Sequence, residues 1–345
     1  MGHSVITPPT RSTGQVNLQK LSNVNGETSR NMNEFFFYSN SPEEIENIHL
    51  ADNGKYLNMC GVQGNGQIYV WHYNGENSQT INATLMIYNS NSYDIVVNIT
   101  HYGLTKNQGV NSDIPAWTSY VGGQSKTVNV PAGNFVHLFD WEGIGSNYVY
   151  GVVARASIKR ASNGAIASAF LYDIAYRSVA NVGNAVAFSA FDTSKQRGTG
   201  DGYYQYVEFD DIVFGSETTY KGFSFGHDDS VFEGDECSTI TEPSTNRQYL
   251  LEGGYGQMFY IKMKIVNNSG ASKRFKIFMG SEGGSSFPFV MMGNDITTDS
   301  YVPAYCYADV ILTGIVANGG YTEVEFSMVI PAVSATPYII GARPA

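Results

Sequence analysis

Apolar residues recur at every second position along most of the chain, in short runs closed by Gly, Asn, Ser or Pro. That period belongs to β-strands with one buried face, and the closing residues are those that turn a backbone. Residues 67–73, 84–88 and 95–100 are rich in β-branched and aromatic side chains and predict strands, as do 127–130, 135–139 and 149–158. Pro131-Ala132-Gly133-Asn134 reads as a turn, and Ser162-Asn163-Gly164 predicts a hairpin into 165–176. That last stretch is Ala-rich but carries no stripe of period 3.6, so it too reads as strand.

The second half repeats this grammar. Gly66-Gln67-Ile68-Tyr69-Val70 is echoed by Gly256-Gln257-Met258-Phe259-Tyr260. Ile87-Tyr88-Asn89 is echoed by Ile265-Val266-Asn267, and Tyr148-Val149-Tyr150-Gly151 by Tyr338-Ile339-Ile340-Gly341. Duplication of short-strand units predicts an all-β fold of two tandem antiparallel β-sandwiches, jelly-roll-like, behind an extended N-terminal arm. The expected boundaries are an arm over 1–33 and sandwiches over 34–195 and 196–345, joined in the polar stretch 191–198.

Phe35-Phe36-Phe37-Tyr38-Ser39-Asn40-Ser41-Pro42-Glu43, Leu50-Ala51-Asp52-Asn53-Gly54-Lys55-Tyr56-Leu57-Asn58 and the run from Gly64 to Tyr73 resemble a two-domain β module of spore-forming Gram-positive bacteria. Arg197-Gly198-Thr199 and Tyr255-Gly256-Gln257-Met258-Phe259-Tyr260 are similar as well. The resemblance implies a surface or secreted, spore-associated protein; some such proteins are fused to stalk domains resembling the copper amine oxidase N-terminal region. Met1 to Thr13 shows no basic stretch followed by an apolar core, so the expected location is extracellular or on a spore or cell surface without a visible secretory signal.

Composition narrows the function classes. With 345 residues, 15% charged and 13% aromatic, the chain has the material for real cores. A net charge of -11 argues against a nucleic-acid backbone partner, and no apolar run is long enough for membrane insertion by a helix. Catalysis finds no support: there is no Ser–His–Asp signature, nucleophile elbow, phosphate loop or dinucleotide fingerprint, and Asp140 and Glu142 flank Trp141 as exposed acids around a half-buried ring would. The chain is expected not to be an enzyme.

The remaining candidates are few. Cys60, Cys237 and Cys306 are widely spaced, so they are either buried small hydrophobes or partners in a structural or intersubunit bridge. Asp228, Asp229, Glu233 and Asp235 lie in the densest acidic stretch and are weak Ca²⁺ candidates, without the spacing of an EF-hand; no other cofactor is expected. Trp71, Tyr73 and Trp141 would stack on surface glycans if exposed, and Trp117, Tyr203, Tyr204 and Tyr206 add further aromatic material. The arm offers two alternating segments, 3–7 and 14–21, whose Val5, Ile6, Val16, Leu18 and Leu21 would extend a neighbour's sheet. The expected function is therefore a self-assembling structural subunit of a bacterial filament or spore appendage, a homopolymer built by donor-strand β-augmentation. The alternative is a carbohydrate-binding adhesion module. An arm tucked against its own chain would remove the polymer reading and leave two self-contained sandwiches.

Overall fold

The computed structural model describes residues 5–6, 26–50, 55–75, 79–108, 113–180, 195–216, 220–226, 236–281, 284–293, 295–298, 301–332 and 334–345. The fold is nearly all β, as the alternating pattern requires. It divides into two compact units that do not follow one another simply in sequence. The first comprises Met32–Tyr203 and Thr239–Tyr249; the second comprises Met1–Asn31, Tyr204–Ser238 and Leu250–Ala345. The join expected at 195/196 falls inside the first unit, because Arg197–Asp201 pairs antiparallel with Phe35–Ser39.

In the first unit a nine-stranded sheet runs in the order Arg247–Leu250, Thr239–Glu242, Arg197–Asp201, Phe35–Ser39, Asn65–Asn74, Tyr148–Arg160, Ile95–Gln108, Lys126–Val130, with Glu44–Ile45 also beside Asn65–Asn74. A four-stranded sheet runs Phe135–Ile144, Ile81–Tyr88, Ser168–Tyr176, Lys55–Gln63. Phe37, Ile68, Val70, Val97 and Val152 from the larger sheet share one buried cluster with Leu57, Leu85, Ile87, Leu138 and Leu171 from the smaller. Sheet-on-sheet burial of alternate residues is what makes this a sandwich.

Asn65–Asn74 departs from strict alternation: every residue from Gly66 to His72 is buried. Over Gln67 and Tyr69 the outer cover includes Ile114–Val121, the one α-helix among the described residues, which contacts Ile95–Gln108 and Tyr148–Arg160. Asp113 Oδ2 accepts bonds from the Trp117 indole N–H and the Tyr69 hydroxyl, each 3.2 Å, and the Tyr120 hydroxyl donates to Gln67 Oε1 at 3.2 Å. The approach is close enough that a Cβ on Gly103 would stand 1.8 Å from the Ala116 carbonyl oxygen.

In the second unit an eight-stranded sheet runs Val5–Ile6, Asp295–Thr298, Phe289–Met292, Tyr321–Val329, Met258–Asn267, Tyr204–Phe209, Gly26–Arg30, with Ile212–Phe214 also beside Met258–Asn267. It packs on Lys221–Phe225, Tyr338–Pro344, Phe275–Ser281 and Tyr307–Leu312. Phe209 and Phe223 stack across the two layers with centroids 3.7 Å apart, and Phe225 meets Phe259 edge-on at 4.7 Å.

The sheets are not purely antiparallel, which corrects the expectation. Phe35–Ser39 runs parallel to Asn65–Asn74, and Tyr204–Phe209 parallel to Met258–Asn267. An internal repeat is nevertheless present in the connectivity. Six strands (65–74, 81–88, 95–108, 126–130, 135–144, 148–160) keep the neighbour relations of 221–225, 258–267, 275–281, 307–312, 321–329 and 338–344 in the same chain order. Asn89 and Asn267 close equivalent strands with the same turn. Each Nδ2 donates to the carbonyl four residues on, and each Oδ1 accepts the N–H two residues on. The Gly66 and Gly256 segments, alike in sequence, open strands that are not equivalent.

Candidate functional site

Both described pieces of the arm lie in the chain's own eight-stranded sheet, at its two ends. Val5–Ile6 pairs parallel with Asp295–Thr298, Val5 opposite Ile296 and Ile6 opposite Thr297. Gly26–Arg30 pairs antiparallel with Tyr204–Phe209. The arm therefore does not wait without a place, as a donor strand awaiting a partner would. Val16, Leu18 and Leu21 lie outside the described residues.

Neither tryptophan of the glycan-stacking set presents a ring. Trp71 and Trp141 are each 3% exposed, and Trp141 sits in the core against Tyr150. The alternation that places Asp140 and Glu142 outward turns Trp141 inward. Tyr73 is half-buried, its hydroxyl pKa raised by burial and then by its hydrogen bond to Glu44. Asp140 is held on the surface by His137, Nδ1 to Oδ1 2.7 Å.

All three cysteines are free, so no two of them bridge within the chain. Cys60 is buried and donates to Asn58 Oδ1 at 3.2 Å; burial pushes its thiol pKa well up, with Glu242 adding to the effect. Cys237 is buried and Cys306 is partly exposed. Asp228, Asp229, Glu233 and Asp235 lie outside the described residues, and no group of three metal-ligating side chains occurs among the described ones.

Sequence spacing missed a Ser–His–Asp constellation that the fold assembles. Ser39 Oγ donates to Asp173 Oδ2 at 2.6 Å, His72 Nε2 lies 2.9 Å from that oxygen and 3.2 Å from Ser39 Oγ, and His72 Nδ1 lies 2.5 Å from the Pro42 carbonyl. The arrangement is not a nucleophile relay. A triad base holds serine with one nitrogen and carboxylate with the other, whereas here serine and carboxylate converge on the same nitrogen and bond each other. The Pro42 carbonyl can only accept, so Nδ1 carries a hydrogen. All three side chains have zero exposure, leaving no path for a substrate.

The trio is a bolt between layers: Ser39 and His72 belong to the nine-stranded sheet and Asp173 to the four-stranded one. Two more bolts lie in the same unit. Asn58 Nδ2 donates across the layers to the Tyr38 carbonyl at 2.8 Å. Arg197, 1% exposed, donates to Glu242 Oε1 at 3.0 Å and to the Leu57 carbonyl at 3.0 Å. Burial alone would raise the Glu242 pKa, but donors from Ser244, Thr245 and Arg197 outweigh it and hold the carboxyl below its usual range.

What the molecule does present is a tyrosine-bearing face on the eight-stranded sheet. Tyr204, Tyr206, Tyr260 and Tyr321 occupy its outward positions. The rings are not coplanar: Tyr204 and Tyr206 meet at 66° and Tyr206 and Tyr260 at 57°. An open groove lies between Tyr206 and Tyr260, bordered by Thr28, Ser29, Glu208 and Lys262. Tyr260 donates to Glu325, which pushes its hydroxyl pKa up to about 12.

No family model and no curated protein matches this chain. Among solved structures it is weakly similar to a Paenibacillus xanthan lyase, at 10% identity over 99% of this chain and 27% of that one, TM-score 0.17. Lac15 from a marine microbial metagenome matches at 9% identity over 81% of this chain and 52% of that one, TM-score 0.14. The chain thus spans about a quarter and about half of these two proteins, and at such scores neither assigns it an activity.

Proposed function

We propose that this chain is a structural subunit of a bacterial surface filament or spore appendage, and that copies join by exchanging the N-terminal strand. One observation carries the reading: Val5–Ile6, the more N-terminal of the two alternating arm segments, adds to an edge of the eight-stranded sheet. A terminal strand on a long tether is the element most easily traded between identical copies. In a single chain the contact is made in cis; in a filament the same contact is made head to tail.

The cis contact removes the donor-strand route as the sequence drew it, an arm left open for a neighbour, and leaves strand exchange as the route. The edge is already capped, so assembly requires opening and is governed by concentration. The stretch 7–25 reaches ~65 Å when extended, against the ~29 Å of six strand spacings that separate the two arm strands. That contour length exceeds the separation, so closure within one chain is allowed and competes with exchange at protein concentrations below a millimolar effective concentration. A two-residue ladder is worth only ~1–3 kcal/mol, well short of the ~8 kcal/mol of a micromolar contact. Exchange must therefore carry the second alternating segment, 14–21, as well.

The inaccessible Ser39–His72–Asp173 trio supports a non-enzymatic role, and the surface setting follows from the resemblance of 35–43 and 64–73. Truncation of residues 1–21 tests the proposal while keeping Gly26–Arg30 in its sheet, which removal of 1–33 would not. At high concentration the full chain should form fibres by negative-stain microscopy and the truncated chain should remain monomeric. Fibres forming equally well without the segment would overturn it.

A further inference from the structure

We propose that the groove between Tyr206 and Tyr260 is a binding site for a neutral carbohydrate, one the sequence candidates Trp71 and Trp141 did not point to. Tyr206 is 49% exposed on a sheet whose inward positions are closed by Val207 and Phe209. Its ring and that of Tyr260 stand 5.8 Å apart at 57°, so they form a V instead of a flat platform. The apolar face of a pyranose can lie on one wall while its edge meets the other. Tyr260 is fixed by its bond to Glu325, so that wall is set before a ligand arrives.

The polar rim selects the ligand class. Lys262 donates to Glu208 at 2.8 Å, placing an ammonium and a carboxylate side by side at the lip, with Ser29 also on the border. Such a pair offers donors and acceptors together, the requirement of a hydroxyl-rich ligand, and its charges cancel. Around it the face carries Glu208, Asp211, Glu323 and Glu325 against Lys262 and Lys264, an acidic balance that repels uronates and phosphates. The groove encloses about 170 Å³, below the ~300 Å³ of a typical drug-sized pocket. Being open, it suits one ring of a longer chain.

The test is calorimetric titration of the full chain with cellohexaose, chitohexaose and mannohexaose, and with polygalacturonate as the charged counterpart. At least one neutral oligosaccharide should bind at millimolar concentration. Tyr206→Ala should weaken that binding by about tenfold or more, Tyr206→Phe should retain it, and neither should shift the melting temperature appreciably. The assignment is overturned if no neutral oligosaccharide binds, if only polygalacturonate binds, or if binding survives Tyr206→Ala.

Discussion

Asp173→Ala probes the buried bolt of the first unit, and its cost can be worked from the geometry. The substitution removes the oxygen that accepts from Ser39 at 2.6 Å and faces His72 Nε2 at 2.9 Å, at a site with no solvent access. Two buried polar groups lose their shared partner, at ~1–3 kcal/mol each, so the expected loss is ~2–6 kcal/mol. Removing one member of a buried pair typically costs ~3–5 kcal/mol, which agrees. His72→Phe combined with Asp173→Leu removes imidazole and carboxylate together and should recover much of that loss, because Tyr150 already stacks on the His72 ring at 5.5 Å. Urea unfolding followed by tryptophan fluorescence measures both variants against the unaltered chain. A loss below ~1 kcal/mol for Asp173→Ala would refute the bolt.

Other consequences follow from the same geometry. Because the Glu242 carboxyl titrates below its usual range in the fold, its stabilisation is complete above about pH 4.5 and is lost as pH falls through the folded value. Glu242→Gln should therefore flatten the acid limb of the stability curve, and an unchanged limb would contradict the hydrogen-bond account. Native chain treated with a thiol reagent should label Cys306 first, with Cys60 and Cys237 reacting only on unfolding; rapid labelling of Cys60 would contradict its burial. Deleting residues 10–23 shortens the tether's reach to ~21 Å, less than the ~29 Å between the arm strands. Because the deletion also removes segment 14–21, which exchange must carry, that variant should stay monomeric by light scattering at concentrations where the full chain assembles, and assembly without the segment would count against exchange.

Much of the sandwich was legible because one-sided burial writes itself as period two: Met258–Asn267 alternates buried and half-buried through all its positions. Where burial is two-sided the pattern fails, as at 66–72, with the helix part of the cover over Gln67 and Tyr69. That helix had its own signals, Asp113-Ile114-Pro115 at the start and Gly122-Gly123 at the end, with Gly123 at φ 76°. A helix of eight residues between long strand-rich stretches has few positions in which to show a 3.6 period. The unit boundaries were not legible, since the return of Thr239–Tyr249 to the first unit and of the arm to the second depends on pairings far apart in sequence. Parallel pairing of 35–39 with 65–74 leaves no local trace either. The same holds for the polar bolts: Ser39, His72 and Asp173 meet only when two sheets close. Trp71 and Trp141 looked like ligands because aromatic content says nothing about facing, whereas Tyr206 and Tyr260 needed only the alternation of their own strands.

The exchange of the N-terminal strand is tested most directly by a covalent trap between two different copies. One chain carries Ile6→Cys and the other Thr297→Cys, both with Cys306→Ser, so that only a contact between copies can place the two thiols together. Paired positions on neighbouring strands lie ~4.8 Å apart, within disulfide range, and a single chain bearing both cysteines shows that the bond can form at this register. Mixed at high concentration and oxidised, the two chains should yield a covalent heterodimer whose amount rises with concentration. Closure of the single-chain control without any heterodimer at any concentration would show that the strand never leaves its own sheet, and the filament account would fail.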